Sequence, residues 1–197
     1  MAQLLFDMYG VLMRPATVQS REQLESFIAP PSPAKFWEAY EELRPAYDVG
    51  ELSDTHYWEQ VAALAGIAEC DVAGAVEIDS SALVESDPEI VELVLQLIAR
   101  EHAVGILSNV PATAAELVRA KHPWLEECAA VVFSCDIGVS KPDPEAYAVA
   151  IDALGGGKAT YFFDDCADNV TAATKAGLRA HLFTGVNALR GVLADVS

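Results

Sequence analysis

Positive charge is scarce in this chain: 12 lysines and arginines stand against 30 aspartates and glutamates, a formal net charge of −18 over 197 residues. Such acidity excludes nucleic acid and anionic membrane surfaces as partners, because both are gripped through basic patches. A phosphorylated small molecule is not excluded, since one lysine or a bound metal reverses the field inside a single pocket. Cysteine is also sparse. Cys70, Cys128, Cys135 and Cys166 lie far apart with no CxxC pair, which points away from zinc and disulfides and toward buried thiols in a reducing cytosol. No apolar run approaches the ~20 residues that span a bilayer. The N-terminus lacks the basic segment and apolar stretch of a secretory leader. Internal repeats and low-complexity tracts are missing too. A cytoplasmic protein is expected, 52% apolar, with material for one core and a modest insertion. Nothing in the sequence sets its oligomeric state.

The remaining pattern is that of an α/β fold. Leu4-Leu5-Phe6 is a short apolar strand. From about Pro15 to Ser80 the chain reads as helices, with Phe36, Trp37, Tyr40 and Leu43 at helical spacing, a turn at Tyr47-Asp48-Val49-Gly50, and Ser53 or Asp54 capping a further helix that carries Tyr57, Trp58, Val61 and Leu64. After that, strands and helices alternate. Asp87-Pro88 opens a helix to about Arg100, Val104–Leu107 is a strand, and 112–121 is helical. Val131–Phe133 is a strand, and Asp143-Pro144 starts a helix ended by Gly155-Gly156-Gly157. Thr160–Phe163, a helix over 170–176 and a strand over 180–183 complete the series. Such alternation predicts a Rossmann-like parallel sheet covered on both faces. The core is expected over 1–14 and 81–197, with a small α-helical cap inserted over 15–80.

Each polar cluster follows a strand: Asp7 the first, Ser108-Asn109 the second, Lys141 the third and Asp164-Asp165 the fourth. Asp7 alone is equally well a strand-capping residue. In a parallel sheet, however, these ends share one edge and the four clusters converge. They bring together a candidate nucleophile, a hydroxyl donor, a fixed cation and carboxylates suited to Mg2+, which binds through one or two carboxylates plus phosphate oxygens and water. That set suits phosphoryl transfer, where positioning and charge neutralisation do most of the catalysis.

The segments FDMYGVL, ILSN, SKPDP and FFDDCADN, in that order and spread over nearly the whole chain, resemble the motifs of the haloacid dehalogenase-like (HAD) hydrolase superfamily, in members whose small helical cap follows the first strand. The resemblance implies that Asp7 is the nucleophile that forms an aspartyl intermediate. It implies that Ser108 binds the transferring group and that Lys141 holds both nucleophile and substrate. Asp165 would be the metal-binding carboxylate, with Asp164 a second ligand or a partner of Lys141, and Asn169 a positioning residue. Asn109 joins Ser108 and Lys141 as a substrate-binding candidate.

One position departs from the phosphatase pattern. Where phosphatases of the family carry a second aspartate, two residues after the nucleophile, this chain has Tyr9. That aspartate would protonate the leaving group and activate water; tyrosine, with a pKa near ~10, is a poor base at neutral pH. The family's backbone carbonyl ligand to the metal survives in Tyr9. Tyrosine here resembles the L-2-haloacid dehalogenases, which need no metal, yet Asp164 and Asp165 stand where those enzymes favour small hydroxyl residues, and Asn169 stands where they keep a hydrolytic aspartate. Expected is a magnesium-dependent phosphatase on a small phosphorylated metabolite with impaired acid/base chemistry. A dehalogenase and a non-catalytic binding or regulatory protein are the alternatives. In the cap, Arg44 and Tyr47 are candidates for substrate contact, against an ion-pair cluster of Arg44 with Glu38, Glu41 and Glu42.

Overall fold

In a computed structural model, which describes residues 2–156, 159–194 and 196, five parallel strands form one sheet in the order β3-β2-β1-β4-β5. The strands are β1 (Gln3–Phe6), β2 (Ala103–Ser108), β3 (Ala130–Phe133), β4 (Thr160–Asp164) and β5 (Arg179–Leu182). β1 lies at the centre, with Phe6 opposite Ile106 on one side and Phe163 on the other. Alternate strand residues point to opposite faces. Leu4, Phe6, Ile106 and Phe163 pack under α5 (Pro88–Ala99), α6 (Ala112–Lys121) and α10 (Val186–Ala194). Leu5, Leu107 and Phe162 pack under α8 (Pro144–Ala153) and α9 (Ala167–Lys175). A sheet buried on both faces explains the unbroken apolar strands.

The chain steps outward from β1 to β2 and β3, then crosses to the far side of β1 for β4 and β5. The reversal opens a crevice at the carboxyl ends of β1 and β4, where open α/β sheets place ligands.

A helical cap is inserted after the first strand: α1 (Val18–Ile28), α2 (Pro33–Asp48), α3 (Asp54–Ala65) and α4 (Val72–Ser81). It has an apolar centre of its own, in which Tyr57 and Trp58 are fully buried and Tyr47 stacks on Tyr57 at 4.1 Å. Ser32, Ser53 and Asp71 each accept a backbone N–H at the start of their helices, satisfying donors that a helix start leaves unpaired. Asp87 and Asp143 do the same for α5 and α8 ahead of their N-terminal prolines. The two segments joining cap to core run side by side, tied by the Arg14 N–H to the Glu85 carbonyl (2.8 Å) and the Asp87 N–H to the Leu12 carbonyl (2.9 Å).

Several boundaries and elements differ from the sequence reading. α2 continues through Pro45 to Asp48, so the turn begins later than expected. α9 starts at Ala167, three residues before Val170, because Asp164 accepts the Cys166 N–H at 2.8 Å and organises the first turn. β5 begins one residue early. A 3₁₀ turn at Pro123–Glu127, the four-residue α7 (Ser134–Ile137) and α10 were not anticipated. The first two are too short to show a period. α8 ends ahead of Gly155 and Gly156, both with positive φ; Gly157 lies outside the described residues. None of the helices among the described residues is long and apolar enough to cross a membrane.

Candidate active site

Asp7 follows β1, its N–H held by the Phe163 carbonyl at 2.8 Å. The next residues fold into a tight loop in which the N–H groups of Leu12 and Met13 both return to the Met8 carbonyl (2.8 and 2.7 Å). Gly10 permits the loop with φ +82°, a conformation side chains resist. A Cβ there would sit 2.1 Å from Asp165 Oδ2, so the missing side chain is the space that the Asp165 carboxylate occupies.

Lys141 is 4% exposed. Its Nζ donates to Asp7 Oδ1 and, at 2.7 Å, to Asp164 Oδ2. Asn109 clamps the lysine's backbone: its Nδ2 donates to the Lys141 carbonyl at 2.8 Å, and its Oδ1 accepts the Lys141 N–H at 2.9 Å. Asp164, fully buried, also accepts from Asn169 Nδ2 at 3.0 and 3.1 Å. Both its oxygens are therefore engaged. Asp165 beside it is exposed and accepts no hydrogen bond from another side chain among the described residues. Ser108, at the end of β2, is fully buried with an unpartnered Oγ. Such a group is costly unless a ligand or water completes it.

Oxygens of Asp7, Asp164 and Asp165 lie within 4.8 Å of one another. Burial pushes Asp7 up to about 7, against the pull of Lys141 and with a further push from Asp164. Burial alone would lower Lys141, but Asp7 and Asp164 outweigh it and raise the lysine, which stays charged. Three carboxylates against one cation leave a surplus of negative charge that a hard divalent ion would neutralise. The carboxylates of Asp7 and Asp165, with Asp164 beside them, fit magnesium.

Tyr9 carries a buried hydroxyl without a partner. Burial raises its pKa, and Asp48, Asp7 and Asp79 add to the rise against Arg44. It therefore stays protonated at neutral pH. Arg44 is half-buried on the cap, but its ion pairs are with Asp48 (2.7 Å) and Asp79 (3.1 Å) rather than with Glu38, Glu41 or Glu42. Those glutamates are exposed. The Asp48 pair was visible as an i,i+4 spacing; Asp79, on another helix, gave no such signal. Tyr47 donates to Asp54 at 2.7 Å, so its hydroxyl is committed within the cap. Asp54 also accepts from Thr113 at 2.7 Å, and the Asp48 carbonyl accepts from Ser134 Oγ. These two contacts seat the cap on the core, and the sequence reading missed both Thr113 and Ser134.

Among solved structures, the HAD family enzyme BT-2542 of Bacteroides thetaiotaomicron superposes with a TM-score of 0.82 over 98% of both chains at 19% identity. The same enzyme in complex with magnesium and inorganic phosphate gives 0.75 over 92% of this chain and 93% of that one, at 20% identity. L-2-haloacid dehalogenase of Xanthobacter autotrophicus gives 0.68 at 19% identity, covering all of this chain and 84% of its own. These likenesses establish the shared fold, which phosphate-binding and carbon–halogen enzymes both use. Phosphatase MT3486 of Mycobacterium tuberculosis is 34% identical over 125 residues, 62% of this chain but only 58% of that protein. The family of haloacid dehalogenase-like hydrolases matches residues 1–177, from the first strand through the acidic pair and α9. The match takes in every strand-end cluster described above, and the chain belongs to that hydrolase family.

Proposed function

We propose that this protein is a cytoplasmic, magnesium-dependent phosphohydrolase of small phosphorylated metabolites. It works through an aspartyl-phosphate at Asp7 and favours good leaving groups such as acyl phosphates. The observation that carries this reading is the set of three converging carboxylates with Lys141 bonded to two of them and Asp165 left free. Clustered carboxylates repel unless a cation sits among them. A dehalogenase that uses no metal has no use for the free one. The magnesium and phosphate bound to BT-2542 and the phosphatase name of the mycobacterial relative agree with it.

In this reading Asp7, Asp165 and the Tyr9 carbonyl would hold the ion, which when bound would supply charge neutralisation at the phosphoryl oxygens. Asp164 and Asn109 fix Lys141, from its two ends. Ser108 Oγ donates to a phosphoryl oxygen. The Asp7 carboxylate forms its bond to phosphorus as the bond to the leaving oxygen breaks, and the leaving group departs with that electron pair. Water then attacks phosphorus, freeing inorganic phosphate and restoring Asp7. Tyr9, kept protonated, takes no proton from water.

Two substitutions test these roles. Tyr9→Asp restores an acid/base carboxylate, a group worth ~10²–10⁴ in rate. Turnover of p-nitrophenyl phosphate is expected to rise at least about tenfold; no gain would remove Tyr9 as the cause of slow turnover. Gly10→Ala drives a methyl into the Asp165 carboxylate and is expected to weaken magnesium binding by about 10–100-fold, as displaced metal supports do. Calorimetric titration with magnesium reads this directly.

The dehalogenase reading has one observation in its favour, a tyrosine, Tyr9, two residues after the nucleophile. It lacks a hydrolytic carboxylate, because that position holds Asn169, whose amide donates to Asp164. No chloride release from 2-chloropropionate is expected. Release without metal would overturn the phosphatase assignment.

A further inference from the structure

The groups around Asp7 are poorly suited to moving a proton. Two residues after the nucleophile stands a phenol, Tyr9, not a carboxylate. Asp164 is fully buried and already meets four hydrogen bonds. Its Oδ1 takes the Cys166 N–H at 2.8 Å and Asn169 Nδ2 at 3.1 Å, and its Oδ2 takes Lys141 Nζ at 2.7 Å and Asn169 Nδ2 at 3.0 Å. A carboxylate offers roughly four acceptor sites, so none is left for a water. Asp165, as a ligand to a divalent ion, would lose its basicity to that ion. On the cap, Asp48 and Asp79 are tied to Arg44, and Asp54 takes Tyr47 and Thr113. The histidines are engaged elsewhere or exposed. His102, ahead of β2, accepts the Ala2 N–H at 3.3 Å, and His122 Nε2 pairs with the Val84 carbonyl at 2.9 Å. His181 stacks on Tyr161 and Phe163, and His56 is exposed in the first turn of α3.

A site without a free base still moves a phosphoryl group between partners that react as anions. An acyl phosphate gives up a carboxylate, which at a pKa near the ~4.3 of a glutamate side chain leaves without a proton. A carboxylate that attacks the aspartyl-phosphate brings no proton to remove. Water and alcohols do: each sheds a proton as it bonds to phosphorus, and a missing base costs ~10²–10⁴ in rate. The attacking carboxylate retraces the path of the leaving one, so it needs no place beyond the one just vacated. The fixed parts serve both directions, Lys141 beside Asp7 and the buried, unpartnered Oγ of Ser108.

We propose that the protein is a phosphotransferase between small carboxylates, passing the phosphoryl group of an acyl phosphate to a second carboxylate faster than to water. This rests on the aspartyl-phosphate reading above and adds the acceptor. In the first step an Asp7 oxygen bonds to phosphorus as the bond from phosphorus to the acyl oxygen breaks, and the carboxylate departs with that electron pair. In the second, an oxygen of another carboxylate bonds to phosphorus as the Asp7 oxygen leaves with its own pair. No proton moves in either step, and one acyl phosphate replaces another.

The test incubates the intact protein with magnesium, acetyl phosphate and an excess of either propionate or 1-propanol, followed by phosphorus NMR, with Asp7→Asn as the blank. Expected are propionyl phosphate formed at least about tenfold faster than inorganic phosphate and no propyl phosphate. A phosphoryl group is expected on Asp7 when the reaction is quenched in acid and the protein is weighed by mass spectrometry. Tyr9→Asp, by returning a carboxylate to that place, is expected to lower the ratio of propionyl phosphate to phosphate at least about tenfold. Should that variant fail to fold, the choice between propionate and propanol by the unaltered protein decides. Phosphate release without propionyl phosphate overturns the transfer and leaves the hydrolase reading standing. Propyl phosphate formed as readily as propionyl phosphate, or a ratio unchanged in folded Tyr9→Asp, overturns the missing base as the source of the preference. Neither acyl transfer product nor phosphate, with no phosphoryl group on Asp7, overturns the hydrolase reading as well.

Discussion

Asp7→Asn protein is expected to release phosphate from acetyl phosphate and p-nitrophenyl phosphate no faster than the uncatalysed blank, with magnesium present and the fold intact. Enzymes accelerate such reactions by at least ~10⁶-fold, so loss of the attacking oxygen leaves nothing measurable. The amide fills the same space but is a poor nucleophile and a weak ligand. Its effect on stability is small for a physical reason: Asp7 is 6% exposed, and burial already disfavours its charged form. Lys141 keeps Asp164 as a partner. A melting temperature near wild type with no turnover therefore locates the chemistry at this residue, whereas retained turnover would place the nucleophile elsewhere.

The same carboxyl sets a pH dependence. With its pKa raised to about 7 in the metal-free protein, Asp7 carries a proton below that point, and a metal ligand must be deprotonated. Magnesium affinity is expected to fall as pH drops from 8 to 6 and to recover on return. Titration calorimetry at those two values checks it. In Asp7→Asn protein the residual affinity no longer changes over this range, because the titrating group is gone.

The core of this fold was legible because its signals are local. An apolar strand ending in Asp7, prolines behind Asp87 and Asp143, and the polar pairs Ser108-Asn109 and Asp164-Asp165 at strand ends all lie within a few residues of the structure they dictate. Convergence of those pairs followed from parallel topology alone. The division of labour between Asp164 and Asp165 was not legible. It depends on which carboxylate meets Lys141 and Asn169 and which fills the gap above Gly10, and adjacent residues of one type carry no mark of that difference. The Arg44 centre was misread for a related reason. Exposed Glu41, one turn away, met the spacing rule, but Asp79 came from a helix packed across the cap and is buried. The lower dielectric around the enclosed partner strengthens its attraction to Arg44, and sequence distance does not show enclosure.

Lys141→Met is expected to be the most destabilising substitution at the site. Lys141 is buried against Asp7 and Asp164, neither of which has water to turn to. Removing one member of a buried ion pair costs about 3–5 kcal/mol, because the remaining charges are left uncompensated. Against a total stability of ~5–15 kcal/mol, that lowers the melting temperature of a chain this size by roughly 6–20 °C, at ~2–4 °C per kcal/mol. The sign of the pH dependence follows. Without the lysine, Asp7, already raised to about 7 by burial, loses the partner that pulls it down, so the folded state holds its proton more tightly than an unfolded aspartate at ~3.9 does. That advantage is present at low pH and is lost as pH rises through the raised folded-state value. The deficit relative to wild type is therefore largest near pH 8 and shrinks toward pH 5. Magnesium is expected to return part of it at pH 8, by placing positive charge beside Asp7 again, without restoring turnover. Thermal melts of both proteins at pH 5 and 8, with and without magnesium, test all three statements, and a deficit independent of pH would show that lost packing, not unpaired charge, is what the lysine prevents.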